Sequence, residues 1–146
     1  MIRTVCTLSL LVALAVFSAA CNGGGSGSSP TAPTATDTAP YSSTDLRTGN
    51  GATAVAGQRV TVNYTGWLYS ASASENKGNT FDSGRGTSFQ LGTLIACWNQ
   101  GIPGMRVGGL RRLVCPPNVA YGSSSPGAGI PANATLLFEV ELVSVP

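Results

Sequence analysis

The side chains of this chain that could do chemistry are mostly aromatic, and they include one carboxyl group and two phenols. The set comprises Tyr64, Phe81, Asp82, Trp98, Tyr121 and Phe138. Residues of these types can form a dry apolar site in which a few hydrogen bonds orient a bound group. Each also has a simple structural explanation, because large aromatic side chains usually belong to a core and an aspartate before Ser83-Gly84 suits a turn. The residue types alone leave a binding site and an ordinary core both open.

The sequence has no histidine and no closely spaced pair of cysteines, the residues that carry much enzyme and metal chemistry. The chain has no histidine, so the commonest general base and metal ligand are absent. Its four cysteines, at positions 6, 21, 97 and 115, form no C-x-x-C pair, and we predict no metal site and no cofactor. A net charge of +2 with 10% charged residues is too weak a basic balance for a nucleic-acid-binding protein.

The N-terminus has the pattern of an export signal. Arg3 precedes an apolar stretch that ends in the small residues Ser18-Ala19-Ala20. The stretch is short for a permanent membrane span, which takes ~20 residues. We predict a signal peptide over residues 1–20, and the segment resembles a bacterial lipoprotein signal in which Cys21 becomes the lipid-carrying first residue. Ser18 stands where that pattern usually has leucine, so an ordinary signal and a soluble secreted protein remain the alternative.

Residues 21–42 have the composition of a linker. From Asn22 to Pro40 the sequence is nearly all Gly, Ser, Thr, Ala and Pro, which cannot bury a core. We predict a flexible tether between a lipid anchor and a folded domain over residues 43–146. Asn22 in place of aspartate after the cysteine favours the outer membrane, so we expect a periplasmic domain held there by its lipid.

Alternating apolar residues predict a mainly antiparallel sheet. The strand signals lie at residues 43–47, 58–65, 88–91, 113–115 and 136–143. The helix candidate is short, at about residues 95–101, and Gly101 and Pro103 end it. Segments rich in Gly, Ser and Pro predict loops at 70–79 and 122–131. The sequence therefore predicts an α+β fold with one short helix packed on an antiparallel sheet.

Six short motifs, taken in order, resemble the FKBP-type peptidyl-prolyl isomerases over residues 43–146. They are Tyr64-Thr65-Gly66-Trp67, Phe81-Asp82-Ser83, Leu94-Ile95-Ala96-Cys97-Trp98, the turn-rich segment 101–109, Ala120-Tyr121-Gly122 and the closing segment 130–142. The resemblance implies a curved antiparallel sheet of about five strands wrapped around one short helix, with the ligand site between them. It also implies an enzyme that isomerises X-Pro bonds.

The resemblance assigns roles to individual residues. It implies that Asp82, Tyr121 and the backbone N–H of Ile95 are the catalytic groups. The substrate-binding residues that it implies are Tyr64, Phe81, Leu94, Trp98, Ile130 and Phe138. In this reading Trp98 is the floor under the proline ring, and Ile130 closes one side of the rim.

The chain departs from the family pattern between Asp82 and Trp98. The segment is several residues shorter than in the well-known cytosolic members, and Thr87 stands where a pocket phenylalanine is usual. Either Phe89 takes that place or the wall is thinner. Arg85 would stand in for an arginine that pairs with the aspartate. We expect the shortened segment 83–93 to affect peptide preference.

Cys97 and Cys115 could form a disulfide. Cys97 lies at the start of the predicted helix, and Cys115 shares the inward strand face with Leu113. If the helix packs on that sheet, the two sulfur atoms meet, and export places them in an oxidising compartment. The alternative is a pair of small buried thiols.

Three functions are compatible with this sequence. The first is a peptidyl-prolyl isomerase that assists the folding of exported proteins, with proline-containing unfolded polypeptides as partners and rapamycin-like macrolides as inhibitors. The second is a periplasmic holdase that uses the same groove without turnover, and the third is an adhesive surface lipoprotein. Asp82 and Tyr121 favour the enzyme. Because no helical arm precedes residue 43, we expect a monomer.

Overall fold

A computed structural model describes residues 37–146 of the chain. The predicted signal peptide 1–20, Cys21 and most of the predicted linker 21–42 lie outside the described residues. Residues just before the predicted boundary at residue 43 also contact the domain. The backbone N–H of Ala71 donates to the carboxylate of Asp37 at 2.8 Å, and Tyr41 packs against the core.

Five strands and one α-helix make up the described part. They are β1 (Ser42–Arg47), β2 (Arg59–Tyr69), β3 (Lys77–Gln90), α1 (Ala96–Gly101), β4 (Leu110–Cys115) and β5 (Leu136–Ser144), with 3₁₀ turns at Ser74–Asn76 and Pro117–Val119. The strands form one antiparallel sheet in the order β1-β4-β5-β2-β3. This confirms the predicted sheet with one short helix. Among residues 37–146, no helix is long and apolar enough to cross a membrane.

Strands β2 and β5 lie next to each other near the middle of the sheet and carry much of the core. Val62 pairs with Leu142 and Tyr64 with Val140, so the apolar residues of both strands share one face. Val62, Val140 and Leu142 have no exposed surface. The alternation that predicted these strands therefore reflects a face that is buried along most of its length, with Tyr64 partly exposed.

Helix α1 covers this apolar face. Its Cys97 and Trp98 are buried, and a Cβ added to Gly101 would lie 2.5 Å from a Leu113 methyl carbon, so the helix approaches β4 closely. Arg111 fixes the other end of the helix, because its guanidinium donates to the Gly101 carbonyl at 2.7 Å. The same guanidinium pairs with Asp45 on β1 and, through its hydrogen bonds, lowers the pKa of that carboxyl.

Strand β3 is longer than the sequence predicts. The predicted loop 70–79 ends too late, because β3 already begins at Lys77. The strand predicted at 88–91 corresponds only to the last part of β3. The strand is polar because it lies at the edge of the sheet, with β2 as its single neighbour. Its first residue, Lys77, is held by an ion pair of 2.9 Å with Glu139 on β5.

Cys97 and Cys115 form a disulfide in the structure. Their Cα atoms are 5.6 Å apart, both side chains are fully buried, and the bond joins the start of α1 to the end of β4. It therefore ties the helix that carries Trp98 to the sheet beneath it.

Reduction of this disulfide should destabilise the domain. The bond closes a loop with a sequence separation of 18, for which the loss of chain entropy in the unfolded state is worth about 3 kcal/mol. Urea unfolding with and without reductant should show a free energy of unfolding lower by about this amount. A double variant, Cys97→Ala with Cys115→Ala, should not respond to reductant. Two thiols that titrate in the unreduced, denatured protein after Cys21 is blocked would contradict the bond.

Candidate functional site

A cavity opens between the sheet and α1, and we call it the Trp98 cavity. It is lined by Tyr64, Phe81, Asp82, Phe89, Leu94, Ile95, Trp98, Tyr121 and Phe138. Its volume is about 120 Å³, whereas pockets that enclose a drug-sized ligand measure ~300–1,000 Å³. The Trp98 cavity is therefore large enough for one small ring, and the rest of a longer ligand would lie across its rim.

Trp98 is the centre of the aromatic cluster. Its ring centroid lies 5.2 Å from Tyr64, 5.4 Å from Phe89 and 5.3 Å from Phe138, and every pair meets edge to face. This geometry suits the charge distribution of aromatic rings and fixes their orientation. Only 5% of Trp98 is exposed. The indole is held on several sides by rings that come from β2, β3 and β5.

Phe81 and Asp82 are adjacent in β3, and yet both line the Trp98 cavity. Successive residues of a regular strand point to opposite faces. Here Gly66 pairs with Asp82 and Trp67 with Thr80, so Phe81 is an extra residue opposite β2. Such a bulge redirects a side chain, and it brings the phenyl ring and the carboxylate to one side of the sheet.

Gly66 makes room for two of the cavity rings. A Cβ added at this position would lie 2.6 Å from Phe81 and 2.9 Å from Phe138, closer than non-bonded carbon atoms approach. The two rings use this space to meet edge to face at 5.5 Å. A residue without a side chain in the middle of β2 is therefore required by the aromatic wall.

A hydrogen bond joins the two polar groups on the sheet side of the Trp98 cavity. The Tyr64 hydroxyl donates to one Asp82 carboxylate oxygen at 2.8 Å, and the Ser83 N–H donates to the other at 2.8 Å. Burial raises the pKa of Tyr64 to about 12, and the Asp82 carboxylate raises it in the same direction. The expected pairing of Arg85 with Asp82 is wrong, because the hydrogen-bond partners of that carboxylate in the described chain are Tyr64 and Ser83.

Leu94, Ile95 and Tyr121 also line the Trp98 cavity and form its rim. Ile95 is the residue that precedes α1, and in the described part of the chain no protein acceptor receives its N–H. Tyr121 is 39% exposed, so its ring borders the opening rather than the core. Together they leave a backbone donor and a phenol at the mouth of the Trp98 cavity. Nowhere in residues 37–146 do three His, Cys, Asp or Glu side chains gather as metal ligands.

The lining of the Trp98 cavity differs at Ile130 and Phe89 from the set of binding residues that the family resemblance implies. Ile130 is 5% exposed and belongs to the buried core, and it does not line the Trp98 cavity, because its side chain packs inward from the loop before β5. Phe89 does line it, with its ring 5.8 Å from that of Tyr64. The shortened segment thus supplies a wall residue two positions after Thr87. The sequence left two outcomes open at this wall, Phe89 or a thinner wall, and the structure has Phe89 there.

Comparison with known proteins shows the family. A model of the FKBP-type peptidyl-prolyl cis-trans isomerases matches residues 51–143. An FK506-binding protein of Neisseria meningitidis serogroup B is 42% identical over 107 residues, which cover 69% of this chain and 92% of that protein. A 46 kDa FK506-binding nuclear protein of Spodoptera frugiperda is 43% identical over 106 residues, and this chain spans 24% of its length.

Solved structures agree with this assignment. A peptidyl-prolyl cis-trans isomerase from Pseudomonas syringae is similar with a TM-score of 0.62 and 33% identity, over 72% of this chain and 74% of that one. FkpA from Escherichia coli is similar with a TM-score of 0.61 and 35% identity, over 72% of this chain and 47% of that one. The chain belongs to the FKBP-type peptidyl-prolyl cis-trans isomerases, and is an enzyme of that class.

The phenol of Tyr64 should titrate at a pH well above the ordinary value for a tyrosine. The pKa of Tyr64 in the folded protein lies above the ordinary value of ~10. The neutral phenol therefore contributes its full stabilisation below pH ~10. That contribution is lost as the pH rises through about 12. Replacing Asp82 by Asn removes the negative charge and should lower the pKa of Tyr64, although burial keeps it above the ordinary value. Ultraviolet titration of phenolate, with Tyr64→Phe to identify the signal, measures this. An Asp82→Asn variant with an unchanged pKa would contradict the coupling.

Proposed function

We propose that this protein isomerises X-Pro bonds in exported polypeptides, with the proline ring seated in the Trp98 cavity. The observation that carries the proposal is the cavity itself, which combines an edge-to-face aromatic cluster with one carboxylate and one exposed phenol. Its volume of about 120 Å³ matches a single small ring. Membership of the isomerase family supports the reaction type.

The reaction requires no nucleophile, metal or histidine. Rotation about the X-Pro bond faces a barrier of ~18–20 kcal/mol that comes from amide resonance. The twisted amide has lost much of that resonance and is less polar along the C–N bond than the planar form. A cavity walled by Trp98, Phe138 and Phe89 excludes water and so favours the twisted form over the planar one. Each ~1.4 kcal/mol gained in this way raises the rate tenfold.

Polar groups at the edge of the Trp98 cavity would orient the substrate. The Ile95 N–H and the Tyr121 hydroxyl are donors at the mouth, and each can bind a substrate carbonyl. Asp82 faces the twisting amide, and its hydrogen bonds from Tyr64 and Ser83 hold the carboxylate in one orientation. Preorganised groups of this kind need no rearrangement during the rotation.

Macrolides such as FK506 and rapamycin are proposed to bind the same site. The relatives from Neisseria meningitidis and Corynebacterium glutamicum carry FK506-binding in their names. The Trp98 cavity would take one ring of such a ligand, and Tyr121 and Ile95 would bind its carbonyl groups as they bind those of a peptide. The remainder of the macrolide would cover the rim.

Export and lipid attachment belong to the same proposal. The sequence of residues 1–20 supports a signal peptide, and Cys21 supports a lipid anchor on the periplasmic side, with a soluble secreted protein as the alternative. The Cys97–Cys115 disulfide is compatible with an oxidising compartment. We propose that the domain acts there as a monomer on proteins that fold after export.

Substitutions in the Trp98 cavity should lower the rate of proline isomerisation. We expect Trp98→Ala to weaken both peptide binding and turnover, since it removes the floor of the cavity. Tyr121→Phe and Asp82→Ala should mainly lower kcat, by about tenfold if each loses a hydrogen bond worth ~1.4 kcal/mol. Isomerisation of a short X-Pro peptide by the purified protein, with and without rapamycin, measures this.

A matched control for Tyr121→Phe is Tyr69→Phe, because Tyr69 lies outside the Trp98 cavity and should leave the rate unchanged. Equal rates in the parent and all three cavity variants would refute the site. Tight binding of rapamycin without acceleration would instead favour a peptide-binding holdase that uses the same groove.

Lipid attachment should depend on Cys21. Mass spectrometry of the protein from a bacterial host that processes lipoproteins should show Cys21 as the N-terminal residue, with lipid on its thiol and amine. Cys21→Ser should abolish the modification, while Cys97→Ser, an internal cysteine control, should leave it in place. An unmodified N-terminus near Ala20 in the parent would contradict the anchor and favour the soluble secreted form.

A further inference from the structure

We propose that Asn99 is a positioning residue of the isomerase site, an inference that rests on the proposed function of the Trp98 cavity. The side chain of Asn99 does not itself line the cavity. It binds the short segment Gly92–Leu94, which connects β3 to α1 and leads directly into Ile95. Leu94 and Ile95 both line the Trp98 cavity, so whatever holds this segment sets the rim.

The side-chain amide of Asn99 holds both ends of the segment, because it accepts one hydrogen bond and donates another. The Gly92 N–H donates to Asn99 Oδ1 at 2.8 Å, and Asn99 Nδ2 donates to the Leu94 carbonyl at 2.7 Å. The orientation of the amide follows from these partners, because a backbone N–H can only donate and a carbonyl can only accept. Asn99 is itself fixed in α1, where its N–H donates to the Ile95 carbonyl at 3.1 Å.

The Asn99 amide binds two backbone groups of the segment that nothing else holds, because among the described residues no other group binds the Gly92 N–H or the Leu94 carbonyl. The Thr93 N–H donates to the Gln90 carbonyl at 3.3 Å, and Leu94 and Ile95 pack against the core. Gly92 has a φ of +105°, a conformation that glycine adopts easily and that by itself gives no rigidity. Ile95, the residue before α1, provides no side-chain cap for the helix. The other side-chain hydrogen bond of this segment runs from Thr93 to the Gln90 carbonyl at 2.9 Å, on the side away from Ile95.

Loss of the Asn99 amide should therefore move the rim while the core stays intact. The Ile95 N–H and the Leu94 side chain would lose their fixed distance from Trp98 and Tyr121. A misplacement of about 1 Å in a substrate-positioning group can cost roughly 100-fold in rate. Asn99 would thus act through Leu94 and Ile95, which distinguishes it from the groups that touch the substrate.

The test compares Asn99→Ala with Gln100→Ala, an exposed neighbour in the same helix whose side chain makes no hydrogen bond among the described residues. We expect Asn99→Ala to lower kcat/KM for an X-Pro peptide by at least about tenfold, and Gln100→Ala to leave it within twofold of the parent. Amide hydrogen exchange at Gly92 should be slow in the parent and fast in Asn99→Ala. Circular dichroism confirms that both variants are folded.

Asn99→Asp adds a readout that a merely structural role would not produce. The carboxylate of this variant can still accept the hydrogen bond from the Gly92 N–H. Its second oxygen cannot donate to the Leu94 carbonyl and instead places a negative charge beside it. Protonation at low pH restores a donor, so the kcat/KM of Asn99→Asp relative to the parent should rise as the pH falls toward the ordinary aspartate pKa of ~3.9. Residues 91–101 carry no charge, and Arg111 binds the far end of α1. Any pH dependence that the variant shares with the parent cancels in the ratio of their kcat/KM values.

The outcomes separate this inference from the proposed function. An active parent with Asn99→Ala within twofold of it would overturn the positioning role and leave the isomerase site standing. Fast exchange at Gly92 in the parent, or an Asn99→Asp ratio that does not change with pH, would also overturn it. An inactive parent would refute the proposed function, and the positioning role would fall with it.

Discussion

The edge-to-face burial of Trp98 is the interaction on which the site depends. The indole must be enclosed tightly enough to exclude water and yet leave a cavity beside it. Rings from β2, β3 and β5 enclose it at centroid distances between 5.2 and 5.4 Å. The residue before it, Cys97, is bonded to β4, so the helix that carries Trp98 is attached covalently to the sheet. The domain is built to hold one ring in place.

Departures from regular structure complete the site. A uniform β3 would send Phe81 and Asp82 to opposite faces, and the extra residue at Phe81 brings them together. A side chain at position 66 would collide with the rings of Phe81 and Phe138, which use the space that Gly66 leaves free. One part of the rim is a short segment whose Gly92 N–H and Leu94 carbonyl are both bound by the amide of Asn99. The regular sheet provides rigidity, while these irregular positions aim the side chains.

The sequence predicts an element of this structure well where burial leaves a regular pattern of apolar residues, and poorly where it does not. Strands β2 and β5 were predicted because both bury one face, and burial leaves an alternating pattern. Strand β3 was largely missed, since a polar edge strand with bulges leaves no such pattern. Most residues that line the Trp98 cavity lie in the family motifs. Ile130 instead packs into the core from the loop before β5, and Phe89 fills the wall, which is one of the two outcomes that the shortened segment left open. The role of Asn99 could not be predicted, because its partners are backbone groups.

The central claim is that a proline ring binds in the Trp98 cavity, and the most direct test is to locate the bound ring on the protein. Nuclear Overhauser contacts between the proline ring of an X-Pro peptide and the isotope-labelled protein would answer this. The account predicts contacts from the ring to the Trp98 indole and to Phe138, with weaker contacts from flanking residues to Tyr121. Contacts confined to the opposite face of the sheet, around Glu139 and Glu141, would contradict it.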